Sequence, residues 1–310
     1  MSQIAFLFPG QGSQAAGMGK ALADAHTSAR SIFEQADEAL GFAISRLCFE
    51  GPDDQLRLTE NTQPALLTVS VAAYTVLREA GYQPAVVAGH SLGEYSALVA
   101  AGSLAFADAV RLVRNRGRYM QQAVPAGVGA MAAILKPPMD KVESILAEAA
   151  QGEVVSAANF NSPDQLVIAG NAGAVARASE AFKAAGAKRA VPLPVSAPFH
   201  CALMSQAQEM LKVDLDATTF SDLSVPLINN VEAREITSGA EAREGLYKQV
   251  PGAVRWTDSM RALAARGVDK AVEVGAGAVL CGLMKQIDAT VKMAKFGDPA
   301  DLEKVRELLG

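Results

Sequence analysis

The stretch Ala85-Val86-Val87-Ala88-Gly89-His90-Ser91-Leu92-Gly93-Glu94-Tyr95 decides the fold class. An apolar run of strand type meets a glycine-flanked bend, and a helical pattern continues from Glu94 to Ala101. Strand, sharp turn and helix in immediate succession are the unit from which parallel α/β sheets are built. A second such unit stands at the start of the chain, where the apolar run Ile4 to Phe8 leads into Pro9-Gly10-Gln11-Gly12-Ser13-Gln14. Helical patterns near Ser13 to Ala25, Thr27 to Leu40 and Pro64 to Ala80 lie between the two units. Runs at Val225 to Asn229 and Lys270 to Val274 resume the alternation toward the end. The expected fold class is therefore α/β with a large parallel sheet.

The middle of the chain has a different rhythm. Met131 to Leu135 reads as a strand, Met139 to Ala150 as a helix, and Val154 to Asn159 and Gln165 to Ala169 as strands. Ala172 to Ala185 reads as a helix and Lys188 to Leu193 as a strand. The order βαββαβ is that of a ferredoxin-like unit. Pro125-Ala126-Gly127 on one side, with Pro192, Pro194 and Pro198 on the other, supplies the breaks expected at hinges. The expected organisation is a discontinuous large domain, residues 1–125 and 198–310, carrying a small ferredoxin-like subdomain over 126–197.

Composition bounds the function. Half of the 310 residues are apolar and a fifth are charged, which suits a buried core. A net charge of −5 argues against a nucleic-acid partner, which requires a basic surface. Cys48, Cys201 and Cys281 are far apart and odd in number, so neither a disulfide framework nor a metal site is expected, and a reducing compartment fits. The run Ile4 to Phe8 has no basic region before it and reads as a strand rather than a signal peptide. No segment offers the roughly 18 apolar residues of a membrane span. A cytoplasmic protein is expected, with no membrane partner.

The Gly89 to Gly93 bend exposes the hydroxyl of Ser91 beside a helix N-terminus, where free N–H groups favour developing negative charge. A nucleophile is one reading. The other is a helix cap, since Ser91 and Glu94 have capping-box spacing. A serine nucleophile needs a base, and the chain has three histidines. His26 lies in a polar helical segment and reads as solvated. His90, beside the serine on the bend, points its ring elsewhere. Elimination leaves His200, in Ser196-Ala197-Pro198-Phe199-His200, an irregular segment at the return from the subdomain. No acid stands out as a third member; a main-chain carbonyl could orient the imidazole as well.

On the helix around Arg111 to Met120, a turn of about 100° per residue places Arg111, Arg114 and Arg118 within an arc of about 60°. Arg116 falls on the other side, among Leu112, Val113 and Met120. A buried guanidinium requires an anion. Its partner is either an internal carboxylate or the carboxylate of a substrate, and the second would select dicarboxylic acyl groups. The Pro9 to Gln14 loop also has two readings. Gly10, Gly12 and Ala15 fit a loose dinucleotide fingerprint, or the loop lies beside the Ser91 turn and helps hold an oxyanion.

These residues together resemble the malonyl-CoA:acyl carrier protein transacylases of type II fatty acid synthesis. The resemblance is carried by Phe8 to Gln14, Thr62-Gln63-Pro64-Ala65, Gly89 to Tyr95, Gly117-Arg118 with Met120-Gln121, Asn159 to Gly170, Ala197 to His200 and Val272 to Gly275. It implies a large hydrolase-like α/β domain with a ferredoxin-like subdomain, and transfer of malonyl from malonyl-CoA to the phosphopantetheine thiol of acyl carrier protein. In that implied scheme Ser91 is acylated, His200 is its base, and Arg116 holds the malonyl carboxylate. Gln11 and the Leu92 N–H form the oxyanion hole, and the main-chain carbonyl of Gln249 orients His200. No metal or cofactor is implied, and the chain is expected to act as a monomer. Ala253 and Ala276 depart from a family tendency to proline. A freestanding polyketide acyltransferase would share every one of these residues, and a serine hydrolase, which would release free malonate, is a second enzyme reading.

Overall fold

The computed structural model describes residues 3–125, 127–195 and 197–310. Ala126, the first residue of the expected subdomain, and Ser196 of the histidine segment lie outside them.

Among the described residues ten strands form two sheets. The larger joins β1 (Gln3–Phe8), β2 (Val86–Gly89), β7 (Leu227–Ile228), β8 (Glu235–Ile236), β9 (Val268–Val274) and β10 (Lys292–Phe296) in the order β10-β9-β1-β2-β7-β8. Ala5 pairs with Val86 and Phe8 with Gly89, so β1 and β2 end together at one edge of the sheet. The central strands are apolar on both faces, as a sheet covered on both sides requires. Ala5 and Leu7 of β1 pack with Trp256, Met260 and Leu283 on one face. Phe6 and Phe8 point into the main core on the other, where both meet the Tyr74 ring edge-on at 6.3 Å.

The smaller sheet holds β3 (Gly129–Leu135), β4 (Val155–Ser162), β5 (Gln165–Asn171) and β6 (Arg189–Pro192) in the order β4-β5-β3-β6, antiparallel throughout. Helices Val142–Ala150 and Ala172–Ala184 connect β3 to β4 and β5 to β6, which is the ferredoxin-like arrangement. Their apolar residues Ile145, Leu146, Val175 and Phe182 close a separate small core on Ile134, Leu166 and Ile168.

Three expectations need correction. The large sheet is parallel except for β8, which returns antiparallel on β7 as a short edge hairpin. The strand expected over Val225 to Asn229 narrows to Leu227–Ile228: Pro226 has no N–H for a ladder, and past Ile228 the Asn229 N–H turns to the Arg234 carbonyl at 3.0 Å. The helix expected from Ser13 begins only at Lys20; Gly19, at φ 76°, holds the left-handed backbone that ends the preceding loop. Helix Thr59–Glu79 starts before Pro64, and Pro64 inside it has no N–H for the Glu60 carbonyl. Arg114 Nη1 donates to that carbonyl instead, at 2.8 Å. Helix Phe106–Gln122, which carries both Arg114 and Arg116, is thereby tied to it. No helix among the described residues is long and apolar enough to cross a membrane.

Candidate active site

The β2 strand ends at Gly89, and helix Gly93–Ala100 begins four residues later. Ser91 between them has φ 49°, a left-handed backbone that a serine adopts only where its surroundings impose it. Two contacts impose it here. The Ser91 N–H donates to Asn230 Oδ1 at 2.7 Å, and Asn230 Nδ2 donates to the Gly89 carbonyl at 2.7 Å, clamping the bend from below. Gly93 sits so close to β1 that an added Cβ would lie 2.1 Å from the Phe8 carbonyl oxygen. His90 N–H donates to the same oxygen at 3.0 Å, which places the Pro9 to Gln14 loop beside the Ser91 turn.

Ser91 does not cap the helix: the N-cap position is Leu92, with no side-chain capping bond. Glu94 Oε2 accepts from the Asn230 N–H and from Gln249 Nε2, so the capping-box reading fails. The dinucleotide reading of the N-terminal loop fails too, because residues Thr27–Leu40, where a second strand would be needed, form a helix.

Ser91 Oγ stands 2.8 Å from His200 Nε2. His200 also has a left-handed backbone, φ 59°, and its Nδ1 lies 2.9 Å from the Gln249 carbonyl and 3.0 Å from that of Gly252. Two carbonyls can only accept, so Nδ1 carries the proton and Nε2 is left as the acceptor for the serine hydroxyl. His200 is buried, and burial together with the Arg116 charge pushes its pKa down to about 3. The imidazole is neutral at physiological pH, the state a general base requires.

Arg116 is 1% exposed. Its Nη1 donates to Gln63 Oε1 at 2.9 Å, and its Nη2 donates to Gln249 Oε1 at 3.0 Å and to Ser91 Oγ at 3.1 Å. Every one of these acceptors is uncharged. Its Nε has no partner among the described residues, and no salt bridge to it occurs among them. The guanidinium lies 5.6 Å from the centroid of the Tyr95 ring.

These groups open into a cavity of about 180 Å³. Gln11, Ser91, Leu92, Arg116 and His200 line it, together with Met131 and Val167 of the small sheet. Gln11 Nε2 reaches Thr59 Oγ1 at 3.4 Å. His90 turns away from the serine hydroxyl: its Nε2 is 2.8 Å from Asn161 Oδ1 and its ring lies tilted at 59° to that of Trp256, 5.3 Å away. His26 sits half-buried between helices Lys20–Ala25 and Thr27–Leu40, and is not part of the cavity wall. Sequence reasoning did not single out Gln63, Asn230 or Glu94 as members of the site. For Gln63 and Glu94 the available signal was a polar side chain in an apolar helical setting, the same that exposed Arg116; Asn230, in a turn just past β7, carried none.

A family model described as acyl transferase domain matches residues 5–301. The malonyl CoA-acyl carrier protein transacylase of Escherichia coli strain K12 is 50% identical over 309 residues, covering 99% of this chain and 100% of the relative. That of Bacillus subtilis strain 168 is 49% identical over 304 residues, covering 98% of this chain and 96% of the relative. Among solved structures, an acyl carrier protein S-malonyltransferase from Vibrio cholerae superposes with a TM-score of 0.96 at 48% identity, over 98% of this chain and 100% of that one. A malonyl-transacylase in complex with a type II polyketide acyl-carrier protein superposes with a TM-score of 0.96 at 46% identity, covering 99% of each chain.

Proposed function

The chain belongs to the acyl transferase family, and from that membership we propose that it moves malonyl from malonyl-CoA to the phosphopantetheine thiol of acyl carrier protein through a malonyl-serine intermediate. The observation that carries the reading is a single oxygen: Ser91 Oγ is within hydrogen-bond reach of both His200 Nε2 and Arg116 Nη2. A base for the nucleophile and a cation for a carboxylate thus converge on one point.

In the proposed cycle Ser91 Oγ attacks the thioester carbonyl carbon and its proton passes to His200 Nε2. The new oxyanion is held by N–H groups of Gln11 and Leu92. Collapse breaks the carbon–sulfur bond, and coenzyme A leaves with the proton from His200. The carrier thiol then gives its proton to His200 while its sulfur attacks the ester, and Ser91 Oγ leaves and regains the proton. Gln249 orients the histidine through its carbonyl, and Arg116 holds the malonyl carboxylate bidentately. Each step uses groups of this chain, the thioester and the thiol, so the scheme calls for no metal or redox cofactor.

A monomer in the cytoplasm fits this scheme, with thiols free at Cys48, Cys201 and Cys281. Service to a polyketide carrier is a second reading, favoured by the likeness to the polyketide carrier complex; relative rates with the two carriers separate it from the first. Intact-mass spectrometry after mixing with malonyl-CoA tests the intermediate. The expected result is one malonyl adduct on the native chain and none on Ser91→Ala, and an adduct that persists on the variant refutes it.

A further inference from the structure

Arg116 presents a puzzle in electrostatics. A fully buried guanidinium is costly without an anion, yet its hydrogen-bonding neighbours are two amides and a hydroxyl. The balancing charge is Glu94, itself 1% exposed. The two do not touch. Between them stands the Gln249 side chain, whose Nε2 donates to Glu94 Oε2 at 2.8 Å while its Oε1 accepts from Arg116 Nη2 at 3.0 Å.

The orientation of that amide is over-determined. Its nitrogen faces three acceptors, Glu94 Oε2, the Ser91 carbonyl at 3.1 Å and Asn230 Oδ1 at 3.4 Å. Its oxygen is therefore the end left for the guanidinium. The Asn230 N–H donates to the same Glu94 oxygen at 3.1 Å and fixes the carboxylate in turn.

We propose that Glu94 is a positioning residue for substrate selection: it is the counter-charge of Arg116, held one amide away through Gln249, so that the guanidinium is balanced without being occupied and keeps donors for an incoming carboxylate. The inference rests on the reading of Arg116 as the malonyl partner. A carboxylate placed directly on Arg116 would compete with substrate; removing it altogether would leave the resting enzyme with an uncompensated buried cation. Burial raises the Glu94 pKa to about 7, with Gln249, Asn230 and Arg116 opposing that rise, so the carboxylate is ionised in mildly alkaline buffer.

Two variants and a control test the idea in the full chain at about pH 8, above that value. The readout is the KM for malonyl-CoA divided by that for acetyl-CoA, because damage to Ser91 or His200 affects both acyl groups and cancels in the ratio. Glu94→Gln keeps the shape and removes the charge. Its ratio is expected to fall severalfold, with a lower melting temperature for the free enzyme that malonyl-CoA restores. The exchange Glu94→Gln with Gln249→Glu keeps composition and total charge but moves the carboxylate onto Arg116. Its ratio is expected to rise about tenfold, the equivalent of about 1.4 kcal/mol.

Arg116→Ala is the control. If it leaves the ratio at the native value, the reading of Arg116 itself fails, whatever Glu94 does. If it abolishes malonyl preference while Glu94→Gln and the exchange both stay within about twofold of native, the inference about Glu94 is overturned and the reading of Arg116 stands. Labelling of Ser91 by malonyl-CoA reports whether each variant is folded, and should the exchange fail that check, Glu94→Gln alone decides.

Discussion

His200 is held by two carbonyls on one ring nitrogen and offers the other to Ser91. Its protonation is opposed by burial first and by the Arg116 charge second, which holds its pKa at about 3 against an ordinary 6.5. Two outcomes follow between these limits. The base stays in its active form far into acid, so the acid limb of kcat/KM for malonyl-CoA should lie well below 6.5. Over the same interval the unfolded chain binds a proton that the native site refuses, so this residue makes the fold less stable as pH falls from 6.5 toward 3. A pH–rate profile beside a pH series of melting temperatures checks both, and an acid limb centred near 6.5 would contradict the burial argument. The sequence made Ser91, His200 and Arg116 legible for simple reasons: a glycine-flanked bend, a short supply of histidines and a cation on an apolar helix face. Glu94 passed unseen because its spacing from Ser91 invited a local explanation, whereas its partners Asn230 and Gln249 are more than a hundred positions away.

At the scale of elements, the decisive join is between the end of β1 and the start of helix Gly93–Ala100. The space for a Cβ at position 93 is already filled by the Phe8 carbonyl oxygen, at 2.1 Å. Gly93→Ala should therefore push the nucleophile bend away from the loop bearing Gln11. Overpacking of this kind costs about 1–3 kcal/mol or more, which calorimetry would detect as a lowered melting temperature. Serine acylation should fall as well, since that shift would part Gln11 from Leu92, the two residues proposed to hold the oxyanion. Unchanged stability and rate would mean that the bend can shift freely. The apolar strands β1 and β2 and the βαββαβ order could be read from pattern, because each is a local alternation closed by glycine or proline. Helices such as Ser205–Ala217 and Gly239–Gln249, and the edge strand β10, carry weaker patterns and take their form from what they pack against. The length of the loop before Lys20 was hidden because the left-handed Gly17 and Gly19 stand among alanines and a methionine that suit a helix equally well.

In the whole molecule the two sheets are stitched together at Val254. Its N–H donates to the Ala158 carbonyl at 2.9 Å and its carbonyl accepts from the Phe160 N–H at 2.9 Å, adding a piece of large-domain chain alongside β4. Thr257 Oγ1 also donates to the Phe160 carbonyl, at 3.0 Å. The amides of Val254 and Phe160 should exchange with deuterium as slowly as those of the β4–β5 ladder; exchange at loop-like rates would show that the sheets move apart.

That stitching has a consequence for what can be loaded. Met131 and Val167 form part of the wall of the cavity of about 180 Å³, and β3 and β5, which bear them, belong to the sheet anchored at Val254. That part of the wall is therefore held by sheet main chain, whereas Gln11, Leu193, Val195 and Phe199 line the cavity from loops. A long hydrocarbon tail would have to displace this part of the wall, so a long-chain acyl-CoA is expected to load Ser91 far more slowly than malonyl-CoA.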